Sequence, residues 1–503
     1  VGAILLATLT AGCKSTREAG EPGTVNFLIE SMPLSLDPRV GTDAQSEHLH
    51  ALIYDGLVAR DEQMNIVPDL AERWESPDPL TYVFRLRRGV KFHDGRALTS
   101  ADVKFTFDSL LSGAVKSLKR GTFPMVESVE APDPATVVFH LREPYASFLW
   151  NLTRTAVGIV PAGSGEEIAQ NPIGTGPFRF VGMKQDEEIV LERNADYFGG
   201  APKIERVRFR VVPDAIVRAL ELRKGTADIG GVNSLTPDMV NALAKEPGIV
   251  ADERPGTVIA YIAFNFDDPI LTHREVRQAL AYATDRATLI RYLLRGQARQ
   301  AGSLLPPNHW AYEPNVRQYG YDPEQSNRLL DAAGFPRGSD GIRFHLTLKT
   351  STEESARLLG EVLADEWKRV GVALDLRPLE NATFLSDIGS GSFQLYTFRW
   401  VGANNDPDIF NYVFSSQRIP PKGANRGHYH NPTLDSLLDR SRVEMNREKR
   451  KAILSEIQKL VAEDEPYIDL WYYDNVCVHR TRVTGIMIPP SGDYDFLQTA
   501  QLK

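Results

Sequence analysis

Few residues in this 503-residue chain are spaced for covalent chemistry. No Gly-x-Ser-x-Gly elbow, His-Glu-x-x-His helix or dinucleotide fingerprint occurs. Gly163-Ser164-Gly165 has the residue types of a serine elbow without its spacing, and reads as a flexible loop. Gly174-Thr175-Gly176-Pro177 lacks the lysine of a phosphate loop and reads as a turn that shapes backbone. His428-Tyr429-His430 is a close histidine pair, but a metal centre needs more ligands converging from elsewhere. Carboxylate pairs of the glycosidase kind are set by three-dimensional geometry, which spacing alone does not decide. The residue types favour holding a ligand over transforming one. The stretch best suited to that is Trp400 and the polar loop Val401-Gly402-Ala403-Asn404-Asn405-Asp406-Pro407-Asp408.

Such a loop needs strands and helices to aim it. Ile342–Leu348 reads as a strand, Glu354–Val370 as a helix with Leu359, Val362, Leu363, Trp367 and Val370 on one face, and Gly371 as its stop. Val372–Leu376 reads as the next strand. Strand, helix and strand make a parallel, right-handed unit. Phe393–Trp400 is a further strand, and ligands on open α/β sheets sit beyond the carboxyl ends of strands. Earlier in the chain, Val25–Glu30 is apolar, Tyr82–Leu86 alternates as a strand, and Val90–Phe92 reads as another, closed by the turn His93-Asp94-Gly95. Thr99-Ser100-Ala101-Asp102 has the form of a capping box, and Val103, Phe107, Leu110 and Leu111 give the helix after it an apolar face. Further helices are expected at 274–284, 286–294, 327–333, 433–443 and 447–462. Strands and helices interleave throughout, so the class is α/β.

Length calls for two or three domains. A net charge of −9 argues against nucleic acid as a partner, and no run of about 20 apolar residues spans a bilayer. Residues 1–12 suit the apolar region of a signal peptide. Leu9-Thr10-Ala11-Gly12-Cys13 resembles a bacterial lipobox, which implies lipidation of Cys13 and a linker over 13–23. Cys477 is then alone, without a disulfide partner, and packs as a small apolar residue.

Several segments together resemble one family. They include Leu36-Asp37-Pro38, Tyr54-Asp55-Gly56-Leu57, Leu70-Ala71-Glu72-Arg73-Trp74-Glu75 and Val90-Lys91-Phe92-His93-Asp94-Gly95. Next come Asn171-Pro172-Ile173-Gly174-Thr175-Gly176-Pro177-Phe178, Asn194-Ala195-Asp196-Tyr197-Phe198 and Phe264-Asn265-Phe266. The run Val276-Arg277-Gln278-Ala279-Leu280-Ala281-Tyr282-Ala283-Thr284-Asp285-Arg286, then Leu329-Leu330-Asp331-Ala332-Ala333-Gly334-Phe335 and Asn405-Asp406-Pro407-Asp408, complete the set. In this order they resemble family 5 of the extracellular solute-binding proteins, which serve peptide and nickel ABC importers.

The resemblance implies a two-lobed, periplasmic-binding-protein-like α/β fold (type II, Venus flytrap) with a subdomain inserted in the first lobe. Lobe I would combine 24–45, 174–260 and 475–503, the insert would be 46–173, and lobe II 261–474. Strands near Val258–Phe266 and Tyr467–Val478 would cross between lobes. It also implies a monomer, with no catalysis and no cofactor, that hands a peptide or peptide-like solute to a permease from a lipid-anchored, extracytoplasmic position.

Cleft residues follow from the same resemblance. Trp400 falls where peptide-binding members place a cleft tryptophan, and Met32, Pro33 and Leu34 fall in a cleft-lining loop. Tyr261 and Asn265 lie at the crossing. Ala403, Asn404, Asn405 and Asp406 continue from the tryptophan. Peptide-binding members carry an aspartate at the position of Ala403, which pairs with the ligand's α-amine. Either Asp406, Asp408 or another acid takes its place, or the ligand has no α-amine: a blocked or cyclic peptide, a glycan, an opine or a metal chelate. Arg399 alternates to the opposite strand face from Trp400. A periplasmic hydrolase and a protein-binding surface receptor are the rival functions.

Overall fold

The computed structural model describes residues 21–153, 157–402 and 405–503. Cys13, Ala403 and Asn404 lie outside the described residues.

One eleven-stranded sheet runs through both lobes. In the second lobe, Phe344–Ser351 pairs in parallel with Val372–Leu379 and with Leu395–Trp400. The expected crossover helix is there, at Glu354–Arg369, with Leu363 and Trp367 fully buried and Gly371 at φ 88° ending it. In the first lobe, Thr24–Ile29 is parallel to Arg206–Val211 and to Ile229–Val232. Two long antiparallel strands, Ile249–Phe264 and Tyr467–Arg480, join the halves. The first pairs with Leu395–Trp400 at one end, and the second with Ile229–Val232 at the other. Their ladder is interrupted midway. Pro255 pairs with Asp474 and Ile259 with Tyr472, so four steps along one strand match two along the other.

The inserted subdomain is a four-stranded antiparallel sheet, in the order Ala71–Asp78, Thr81–Leu86, Thr136–Leu141 and Val126–Asp133. The helix Ser100–Leu111 lies over it and buries Val103, Phe107 and Leu110. Its capping box forms: the Asp102 carboxylate accepts from Thr99 N–H at 2.8 Å. Val90–Phe92, expected as a strand, is a tight loop instead. Lys91 makes a single bridge to Ala97, and Phe92 N–H donates to Arg96 C=O across Gly95 at φ 90°.

Most of the shared motifs are structural. Thr175 Oγ1 (2.7 Å) and Tyr197 Oη (3.0 Å) both donate to the buried Asp55 carboxylate, and His93 Nε2 lies 3.0 Å from Gly176 C=O. A Cβ on Gly174 would stand 2.0 Å from Ile53 C=O, so only glycine lets that backbone pass. Arg277 donates to the carbonyls of Asp464, Glu465, Leu271 and Thr272, and Arg286 to those of Asp469 and Tyr319. Cys477 is fully buried in the first-lobe core, where burial raises its thiol pKa. Among the described residues no helix is long and apolar enough to cross a membrane.

Candidate functional site

Strand direction locates the cleft. Leu395–Trp400 runs antiparallel to Ile249–Phe264, which brings its carboxyl end, Trp400, opposite Ile259 and so level with Tyr472. Ile229–Val232 runs antiparallel to Tyr467–Arg480, which brings its carboxyl end, Val232, opposite Cys477. The two sets of strands therefore point their carboxyl ends at each other across the segment Tyr472–Cys477. At the usual rise of an extended chain that segment spans roughly 17 Å. Ligands bind beyond such ends, and here two such ends face one gap.

Trp400 edges this gap from the second lobe and keeps 9 % of its surface exposed. Behind it the rings of Tyr261 and Tyr467 form a stack. The Trp400–Tyr261 centroids are 5.9 Å apart at 12°, and the Tyr261–Tyr467 centroids 4.3 Å apart at 10°. Tyr396 meets Tyr261 edge-on at 5.9 Å, and the Arg426 guanidinium lies 5.3 Å from the Trp400 ring centre. Strand alternation produces this arrangement, because Tyr396, Phe398 and Trp400 share one face while Arg399 turns to the other, toward Glu353 at 3.5 Å. Among the described residues, Trp400 Nε1, Tyr261 Oη, Tyr396 Oη and Arg426 Nη1 are buried atoms without a hydrogen-bond partner.

At the far end of the same loop each carboxylate is held by the chain, although Asp408 Oδ1, Arg442 Nε and Asn405 Oδ1 make no hydrogen bond to a described residue. Asp406 Oδ1 accepts from Ser147 Oγ at 2.6 Å and from Asp408 N–H at 2.8 Å. Asp408 Oδ2 accepts from Tyr145 Oη at 3.0 Å, and Arg442 Nε lies 3.4 Å from its Oδ1. Arg450 Nη2 donates to Ser147 Oγ at 2.8 Å, and the Arg442 guanidinium sits 5.4 Å from the Tyr145 ring centre. Burial pushes the Asp408 carboxyl up to about 6; Asp406 adds to that shift and Arg442 opposes it. Burial also raises Asp406, against Arg450 and the Ser147 hydrogen bond. The loop thus docks on the inserted subdomain, and Asp406 spends its carboxylate there. Asn405 is buried, with its C=O 3.3 Å from His309 Nε2. Burial pushes His309 down to about 3, so the ring is neutral.

The other expected positions divide. Met32 and Pro33 are half-buried, and Leu34 is 82 % exposed on the loop after Thr24–Ile29, at a carboxyl end of the first-lobe strands. Tyr261 is wholly buried, one ring behind Trp400. Asn265, expected at the ligand, sits past the opposite end of its strand pair from Trp400, since Phe264 faces Leu395. Its amide donates to Gly391 and Phe393 C=O, so it caps a loop. His428 Nδ1 pairs with Asp267 at 2.6 Å and His430 is exposed; no metal-holding group of three or more His, Cys, Asp or Glu forms among the described residues.

Sequence reasoning did not single out Tyr396, Arg426, Tyr145, Ser147, Arg442 or Arg450. Period-two alternation back from Trp400 would have found Tyr396; the rest come from distant segments with no local signal.

Residues 65–420 match the family of bacterial extracellular solute-binding proteins, family 5 Middle. The chain is similar to heme-binding protein A of Haemophilus influenzae, with 30% identity over 96% of this chain and 93% of that one. It is also similar to the dipeptide-binding protein of Escherichia coli, with 28% identity over 94% of each. Its fold matches the oligopeptide-binding protein AppA of Bacillus subtilis, in complex with a nonapeptide, at a TM-score of 0.76 and 26% identity, over 95% of this chain and 99% of that one. The facing strand ends, the inserted subdomain and these matches agree: the chain belongs to family 5 of the bacterial extracellular solute-binding proteins, the non-enzymatic substrate-binding components of ABC transporters.

Proposed function

We propose that this protein captures a peptide or peptide-like solute between its lobes and hands it unchanged to the permease of an importer. The supporting observation is that the carboxyl ends of the two sets of strands face each other across Tyr472–Cys477, a strand stretch of roughly 17 Å, about the length of a few extended residues. Trp400 borders it on one side, and Met32, Pro33 and Leu34 stand on a carboxyl-end loop of the other lobe. Backbone pairing would give affinity without reading sequence, and closure would follow from tighter binding to the closed state. Lipid on Cys13 would hold the protein at the membrane near its permease. The relative named for dipeptides and the one in complex with a nonapeptide support the peptide class; the relative named for heme supports a broader one.

Native mass spectrometry of protein purified without refolding tests the reading. A retained mass matching short peptides, displaced by added peptide, is the expected result. A tightly held non-peptide solute that peptides fail to displace would overturn it.

A further inference from the structure

We infer that the pocket edged by Trp400 and Arg426 binds a carboxylate group of the solute. The inference rests on reading the interlobe gap as the solute cleft, and it assigns the chemistry of one end of that cleft.

The donors come first. Trp400 Nε1 and Arg426 Nη1 can only donate, and the Tyr261 and Tyr396 hydroxyls each carry a proton to give. Trp400 Nε1 has no hydrogen-bond partner among the described residues, and the Tyr396 hydroxyl lies near Tyr261 and Arg426 without completing a well-formed hydrogen bond, though Trp400 is nine-tenths buried and both tyrosines wholly so. Leaving several buried polar atoms unmatched is costly, and native proteins satisfy nearly all of them. Burial lifts the Tyr261 hydroxyl well above its ordinary pKa, with Tyr396 and Tyr467 adding to this, so it remains a neutral donor.

Charge points the same way. Arg426 is half-buried, yet no carboxylate lies within ion-pair distance of it among the described residues. Its companions are the Trp400 ring face, 5.3 Å away, and the hydroxyls of Tyr396, Tyr261 and Tyr467. Guanidinium resists deprotonation, so burial leaves a positive charge that an incoming anion would pair. The two nearest acids on the Trp400 loop, Asp406 and Asp408, are turned to Ser147 and Tyr145 instead. An ammonium group would meet a like charge and an indole N–H that cannot accept; a carboxylate would meet a guanidinium and an indole N–H, with hydroxyls able to donate beside them.

Two arms test the inference on the full chain. In the first, sodium propionate, propionamide and propylamine are titrated separately while the Trp400 indole N–H resonance is followed, assigned by its loss in Trp400→Phe. A saturable shift with propionate alone is expected, at least tenfold weaker in Arg426→Gln and partly restored in Arg426→Lys. No shift with propionate, or an equal shift in Arg426→Gln, overturns the inference. The second arm compares acetyl-dialanine free acid with dialanine amide by calorimetry. At least tenfold tighter binding of the acid is expected, falling to parity in Arg426→Gln. Tighter binding of the amide overturns the inference. Propionate binding with neither peptide binding keeps the carboxylate site and removes the peptide reading.

Discussion

The two ends of one loop differ in where their acids and cations find company. At Asp406 and Asp408 each carboxylate accepts a hydrogen bond from the chain, from Ser147 and Tyr145, with Arg442 3.4 Å from Asp408 and Arg450 bonded to Ser147, although Asp408 Oδ1 and Arg442 Nε complete no hydrogen bond. At Trp400, eight residues upstream of Asp408, donors from two strands and a loop gather with no carboxylate beside them among the described residues. A polar cluster whose charges are matched within the chain rigidifies a fold. One that leaves a cation unmatched holds its interaction energy for something outside the chain. Residue type does not separate the two, since both contain aromatic rings and arginine. Only partner assignment does.

Breaking the matched end should cost most. Arg450→Ala strips the Asp406 carboxylate of its nearby cation and Ser147 of a donor. Loss of one partner from such a buried set costs about 3–5 kcal/mol, which urea denaturation would read. Next is the pH response of the same end. Asp408 titrates near 6 in the fold, above the ordinary carboxylate value, so the fold binds its proton more tightly than the unfolded chain. That advantage is complete at low pH and is lost as pH rises from about 4 to about 6. Wild type should therefore lose about 2–3 kcal/mol more stability than Asp408→Asn between pH 4 and pH 7. Smallest is the effect at the unmatched end. Arg426→Gln breaks no ion pair among the described residues and loosens only contacts with the Tyr396 hydroxyl and the Trp400 ring, so its stability should change by no more than about 1 kcal/mol. A loss as large as that of Arg450→Ala would show that both ends are scaffold and dissolve the contrast.

Much of the frame was legible in the sequence because its signals are local. The capping box at Thr99, the helical face from Leu359 to Trp367 and the stop at Gly371 each act within a few residues, and each appears where expected. The placement of Arg399 away from Trp400 followed from strand alternation alone. The loop at Val90–Phe92 was misread because three apolar-flanked residues carry too little pattern to separate a strand from a turn. Asn265 follows the crossing strand, as expected, while register, which no local pattern reveals, sets it past the end away from Trp400. The partners of Asp406 and Asp408 lie 259 and 263 residues away, and no periodicity spans such a distance. Arg426 sits in a segment without regular structure, so nothing in its neighbours announced the ring it covers.

The mismatch at Pro255–Ile259 makes the two connecting rails unequal in length over their middle portion. Paired rails resist sliding past each other where their rungs are intact, and they yield where rungs are missing. Swinging of one half against the other would concentrate at this joint, next to the level at which Trp400 stands, with the bonded stretches on either side riding along as stiff levers.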